Sequence, residues 1–340
     1  MDRPHGCPGP DGAASSARAL RLVASDGEIV CPGRNAAVPV KSKRLVLSAD
    51  ESFDGAIGRI LGDCLDHFAV NIPALRQTGD AEAVHQLRVA LRRLRAFLGL
   101  LKHVVPANPE LASVATRARI IARALGEARD WHVLRDGLEH GPREFLREEP
   151  GFFALLDSVE LRRLHALEAA RAMIVAPTTQ QFVRELRGLI SRRAWREGSR
   201  GLEGKGSARV FAAKALNRLH KRAVKRCEGV AALEPEQRHK ARIALKKARY
   251  AADFFESLFC QKAARTYLRG LPTIQDQLGE DNDRRTAARL LSEIAAEDAS
   301  EETLRAIYFL RGWRAQAQQR GLIAMKESER RLRRLKPFWR

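Results

Sequence analysis

Two segments of this chain are near copies of each other, and that copying restricts the fold more than any other feature. The first reads Val84-His85-Gln86-Leu87-Arg88-Val89-Ala90-Leu91-Arg92-Arg93-Leu94-Arg95. The second reads Arg238-His239-Lys240-Ala241-Arg242-Ile243-Ala244-Leu245-Lys246-Lys247-Ala248-Arg249. Each keeps a His, an Arg three residues on, then a basic pair and another Arg. Leu125-Gly126-Glu127 with Asp130 recurs as Leu278-Gly279-Glu280 with Asp283, and the interval from His to Gly agrees to within one residue. A weaker match pairs the stretch from Phe53 with the stretch from Phe211. The period is too long for a solenoid, so the repeated unit is a half-domain.

From Ser52 onward apolar residues recur at three- and four-residue spacing, with few strand-like alternations. The pattern predicts helices near 53–70, 81–103, 109–125, 128–140, 152–175 and 179–196, then near 207–228, 235–259, 262–278, 283–297 and 301–318, with a tail helix near 321–335. Gly198, Gly201, Gly204 and Gly206 mark a linker between the two sets, and Gly126 and Gly279 are expected to stop helices. Ser300 before Glu301 and Glu302 is a helix N-cap with acids at the favourable end of the dipole. The expected fold class is all-α: two helical bundles of four-helix type, 49–197 and 207–340, related by duplication. Residues 1–48 form a leader in which Leu20–Val23 and Glu28–Val30 flank an Asp26-Gly27 turn signal. A small hairpin and an irregular segment both fit it.

Charge decides which partners such bundles can have. The chain has 340 residues, 45% of them hydrophobic, and a formal net charge of +20. That excess attracts polyanions, and it is clustered. Between Ala83 and Gly126 the acid is Glu110 alone, and the stretches Gly204 to Cys227 and Arg238 to Ala252 contain no acid.

Helical geometry sorts these residues onto faces. With His85 at zero, Arg88 falls at about −60°, Arg92 at about −20° and Arg95 at about −80°. Leu87, Leu91, Leu94, Leu98 and Leu101 take the opposite, core-facing stripe. The second copy sets His239, Arg242, Lys246 and Arg249 against Ala241, Leu245, Ala248, Ala252 and Phe255. Like charges at this spacing destabilise an isolated helix slightly; an anion that neutralises the row reverses that. Arg88 to Arg95 spans roughly 10 Å along the axis, which suits successive phosphates better than one small anion. Arg supplies a planar fork for phosphate oxygens and Lys a movable charge.

Other residues carry two readings. His85 and His239 are either structural hydrogen-bonders or ligand contacts. Arg93 and Lys247 point off the main stripe and are expected on a solvated flank. Arg129 and Asp130 read as a local pair, with Arg129 also a binding candidate. Lys214, Arg218, Lys221, Arg222 and Lys225 recur on one helical face, and Lys214, Arg218, Lys221 and Arg222 are counted as binding candidates against the alternative of a wet exterior.

Cys7, Cys31, Cys64, Cys227 and Cys260 are odd in number and widely spaced, with no Cys-x-x-Cys. That fits a reducing compartment rather than a disulfide framework or structural zinc. No run of about 18 apolar residues exists, and the N-terminus lacks a signal-peptide core. A cytoplasmic location is expected.

These segments resemble the CHAD domain family, the conserved-histidine α-helical domains, over about residues 50–340. The resemblance rests on the two His-led segments, on Leu125-Gly126-Glu127-Ala128-Arg129-Asp130, on Leu278-Gly279 with Asp283, and on the ending Lys336-Pro337-Phe338-Trp339. It implies two helical bundles related by pseudo-two-fold symmetry that bind inorganic polyphosphate along a basic groove, often at polyphosphate granules. Carried onto this chain, the groove uses His85, Arg88, Arg92 and Arg95 with His239, Arg242, Lys246 and Arg249. One departure is His132, where many relatives have a second Asp after the Arg-Asp pair. Some relatives carry a triphosphate-handling CYTH domain in front. Its Glu-x-Glu-x-Lys signature is absent, and Val38-Pro39-Val40 resembles the connector, so the leader reads as a remnant.

Three functions compete on the sequence. A non-catalytic polyphosphate binder needs no cofactor. A nucleic-acid binder is permitted by charge, but aromatics are 6% of the chain and no reading motif is present. A phosphohydrolase or metal enzyme needs a nucleophile, base or metal cage, and no His-x-x-x-His is present.

Overall fold

The structure is a computed structural model that describes residues 37–105, 108–146, 148–197, 206–297 and 300–340. Within them the chain forms α1 (Phe53–Thr78), α2 (Ala81–Leu101), α3 (Pro109–Glu139), α4 (Pro150–Val175), α5 (Pro177–Arg192), α6 (Ala208–Arg226), α7 (Pro235–Phe255), α8 (Gln261–Arg269), α9 (Pro272–Glu297) and α10 (Glu301–Arg334). No strand occurs among the described residues beyond one isolated bridge between Ser52 and Ser207.

Local chemistry sets the turns that place the site. Ser52 Oγ accepts from Gly55 N to start α1, and Gly79, in the left-handed region at φ 65°, ends it by donating to Leu75 O. A glycine is needed there because a side chain strains that conformation. Asp80 follows at once as the cap of α2, accepting from Glu82 N. The chain therefore reverses within a few residues and lays α2 against α1. The second half starts with the same cap: Ser207 accepts from Val210 N. The two starts lie together, with Ala208 N donating to Glu51 O at 2.8 Å and the Phe53 and Phe211 rings 4.0 Å apart.

Apolar faces then join the halves. α2 packs on α7, where Phe97 meets Phe254 with ring centroids 5.6 Å apart. α3 packs on α9, and α10 packs on both α4 and α9. One contiguous core runs from Leu47 through Phe53, Phe97 and Phe254 to Trp339.

Several sequence expectations are corrected. Gly126 and Gly279 do not stop helices; both lie inside, in α3 and α9. Glycine in a helix interior costs only about 1 kcal/mol relative to alanine, and packing on both sides carries the helix through. The segment expected as one helix over 262–278 is two, because Pro272 cannot continue α8 and instead opens α9. The tail helix near 321–335 is continuous with 301–318 as α10. The Ser300 cap forms as expected, accepting from Thr303 N.

The Asp26-Gly27 turn and most of the expected linker lie outside the described residues. Residues 37–48 run as an irregular strap. Val40 and Asn71 exchange two hydrogen bonds, at 2.8 and 2.9 Å. Further on, Arg44 pairs with Glu256 at 2.6 Å and Leu47 N donates to Ser257 Oγ. The strap thus ties α1 to the end of α7.

Candidate functional site: a cationic cleft between the halves

A cleft of about 1960 Å³ opens where α2, α3, α7 and α9 meet. Its walls follow from the apolar stripes. Leu87, Leu91, Leu94, Leu98 and Leu101 are buried in the core, so α2 turns His85, Arg88, Arg92 and Arg95 into the cleft. Ala241, Leu245, Ala248, Ala252 and Phe255 are buried likewise, and α7 turns in His239, Arg242, Lys246 and Arg249. α3 adds Arg129 and Asp130, and α9 adds Asn282 and Asp283.

The two rows sense each other's charge. Burial holds Arg88 down at about 10, with Arg92, Arg129 and Arg242 adding to the effect against Asp130. Burial, then Arg242 and Arg92, brings Lys246 down to about 7. Arg242 is lowered by burial, partly offset by Asp283. Asp130 is raised by burial, with Asp283 across from it adding to the rise. Residues far apart in sequence thus share one poorly solvated space.

Internal counter-ions are few. Among the described residues the ion pairs of α2 and α7 are Arg93 with Asp63, Arg238 with Asp281, Lys240 with Glu236 and Arg249 with Asp253. Arg88, Arg92, Arg95, Arg129, Arg242 and Lys246 form none among the described residues. The Nε atoms of Arg92 and Arg242 are buried without a hydrogen-bond acceptor. Native structures leave few buried donors unmet, and a guanidinium is among the most costly to leave so. An oxyanion entering the cleft supplies the missing acceptors.

Some sequence candidates lie elsewhere or differ in role. Arg93 is not on a solvated flank: it is 5% exposed, pairs with Asp63 at 2.7 Å and lies over the Phe254 ring. It stands on the α2–α7 contact, which sequence periodicity within one helix cannot reveal. Lys247 is exposed at the cleft's edge, as expected. Lys214, Arg218, Lys221 and Arg222 do not line the cleft. The buried stripe of α6, from Ala208 through Leu216 to Ala223, turns them outward; Arg218 and Arg222 come near His103 and Lys247 at its border. Asp130 forms no ion pair with Arg129 and faces the cleft cations instead. The histidines differ: His239 Nδ1 is 3.0 Å from Asn282 Oδ1, whereas His85 is half-buried and lowered by burial and by Arg129.

Sequence reasoning missed Lys43 and Arg44 on the strap, Lys102, Arg119 and Arg284. Lys102 was within reach, being seven residues beyond Arg95 on the same helical face. The strap residues carry no periodic signal, and Arg119 and Arg284 enter through the packing of α3 and α9. Among the described residues no group of three or more His, Cys, Asp or Glu side chains is placed to hold a metal ion. Among those residues no helix is long and apolar enough to cross a membrane.

The fold and cleft define an all-α protein with a cationic cleft lined by α2, α3, α7 and α9. A family model described as the CHAD domain matches residues 59–292. The crystal structure of the CHAD domain from the plant Ricinus communis is 30% identical and superposes with a TM-score of 0.76, over 88% of this chain and 98% of that chain. This chain belongs to the CHAD domain family. PptA from Streptomyces chartreusis shares the fold at 16% identity and a TM-score of 0.59, over 82% of this chain and 98% of that chain. No curated protein matches the chain.

Proposed function

We propose that this protein binds inorganic polyphosphate, without catalysis, along the cleft between α2 and α7. The observation that carries the reading is the convergence of Arg88, Arg92, Arg242 and Lys246 in one half-buried space, none of them in an ion pair among the described residues. Four such groups spread over two helices match a line of phosphates better than one compact anion. Charge-assisted hydrogen bonds to phosphate are about twice as strong as neutral ones. At up to about 1 kcal/mol for each exposed pair, and more where the cleft excludes water, the summed contacts give tight binding with steep salt dependence. Recruitment to polyphosphate granules is the matching expectation for location in cells.

A length series of polyphosphate chains, titrated against wild type and Arg88→Ala with Arg242→Ala, tests this. Affinity rises with chain length until the cleft is filled, and the double variant loses at least tenfold. Unchanged affinity in the double variant, or equal affinity for pyrophosphate and long chains, removes the assignment. Displacement by duplex DNA or RNA at equal phosphate concentration favours the nucleic-acid reading. Phosphate release from the polymer that is abolished by a chelator favours the enzymatic one.

A further inference from the structure

Where α10 reaches the cleft it contributes a ring rather than a cation. Trp313, on α10, lines the cleft and is 37% exposed. Phe145 follows the short 3-10 turn Pro142–Glu144 after α3 and is 63% exposed. Their ring centroids are 4.8 Å apart, and Phe309 stacks on Trp313 at 6.3 Å with planes 30° apart. Arg311 lies over Tyr308 and donates to Ser292 Oγ at 2.9 Å, pinning this part of α10 to α9. These rings pack on each other between the turn after α3 and α10, yet keep faces open to solvent. They stand where the cationic space ends: Gly137, Gly141 and Pro142 line the cleft beside Asp130 and Arg129.

We infer that the cleft also accepts nucleoside oligophosphates, with the base stacked on Trp313 and Phe145 and the phosphates running inward to Arg129 and Arg88. The inference rests on the phosphate-binding reading of the cleft and adds a ligand class to it. The geometry fits such a ligand. Asp130 to Gly137 is two turns of α3, about 10 Å, a span bridged by a sugar and a short phosphate chain. Gly137 and Gly141 leave that wall low: a Cβ at Gly137 would meet nothing within 4 Å. An inorganic chain gains nothing from exposed rings, whereas every base has a face to stack. Charge complementarity selects one occupant from those an apolar patch can take, because Trp313 lines the same cleft as Arg88 and Arg129, which form no ion pair among the described residues.

The test compares adenosine 5′-tetraphosphate with inorganic tetrapolyphosphate by calorimetry on the full chain, wild type against Trp313→Ala, Trp313→Phe and Phe145→Ala. The nucleoside ligand is expected to bind about tenfold tighter or more. That ratio falls to near one in Trp313→Ala, falls partly in Phe145→Ala, and is largely restored in Trp313→Phe. Trp313 fluorescence is quenched by the nucleoside ligand and not by the inorganic one. A ratio near one in wild type overturns the inference and leaves polyphosphate binding standing. So does a Trp313→Ala variant that keeps the ratio, or one whose only change is loss of self-association. Failure of both ligands to bind removes the phosphate-binding reading itself.

Discussion

Arg88 of α2 crosses directly over Gly126 of α3, its Nη1 2.6 Å from where a Cβ on Gly126 would stand. The glycine is therefore the floor on which a cleft arginine lies. Gly126→Ala keeps the helix, since alanine is the better helix former by about 1 kcal/mol, but it moves the guanidinium. The expected result is a melting temperature within a few degrees of wild type and a several-fold loss of polyphosphate affinity. Thermal melts and titration of the same sample check both halves of the statement.

Lys246 gives the cleft a pH response. In the folded chain it is held at about 7 against an ordinary 10.5, so between those values the unfolded chain holds the extra proton. Without ligand, its contribution makes stability rise with pH across that window. A bound polyanion leaves the burial in place but outweighs the repulsion from Arg242 and Arg92, and so draws the proton back. Binding at pH 8 thus takes up close to one proton and weakens toward pH 9. Calorimetry in two buffers of different ionisation heat measures the uptake, and Lys246→Gln abolishes it.

Arg242 trades stability for binding. Its Nε is buried without a partner, and Arg92 and Lys246 repel it. Arg242→Met fills similar space without the charge, and replacing buried ionic groups with apolar side chains of similar volume is often stabilising by about 1 kcal/mol or more. A rise in denaturation midpoint without ligand is expected, together with about tenfold weaker polyphosphate binding. A fall in midpoint would show that Arg242 is held by contacts within the fold.

Asp54 makes the α1–α5 junction acid-sensitive. It accepts from Trp195 Nε1 at 2.9 Å and from Arg196 Nε at 2.8 Å, and it also pairs with Arg193. The Arg196 bond is the largest cause holding its carboxyl down at about 2. Stability from this group is present above the ordinary carboxylate value of 3.8 and is lost as pH falls through about 2. Asp54→Ala leaves four donor groups from three side chains around a vacant acceptor and is expected to cost about 2–4 kcal/mol. Denaturant melts at pH 7 and pH 2.5 test it: the gap between wild type and variant narrows at the lower pH.

The sequence made the helices legible because burial on one face leaves a period. The His85 and His239 rows were readable for the same reason, since each is the face left over once Leu87–Leu101 and Ala241–Phe255 are assigned to the core. Arg93 was misread because its partner, Asp63, and its neighbour, Phe254, belong to other helices. The row on α6 was overread: its spacing resembles that of α2, and a stripe of cations says nothing about which neighbour it meets.

By itself, then, the sequence determined the helical class, the bounds of α2, α4, α5, α6 and α7 to within a few residues, and two cationic faces. Those follow from local hydrogen bonding and from apolar periodicity, which each segment carries alone. The tertiary structure decided that α2 and α7 turn those faces into one shared space. It also decided that the strap, α3 and α9 bring in Lys43, Arg119 and Arg284, and that Trp313 closes one wall. Such relations depend on how distant segments pack, and repulsion between buried like charges is tolerated there only because the packing of a whole core outweighs it.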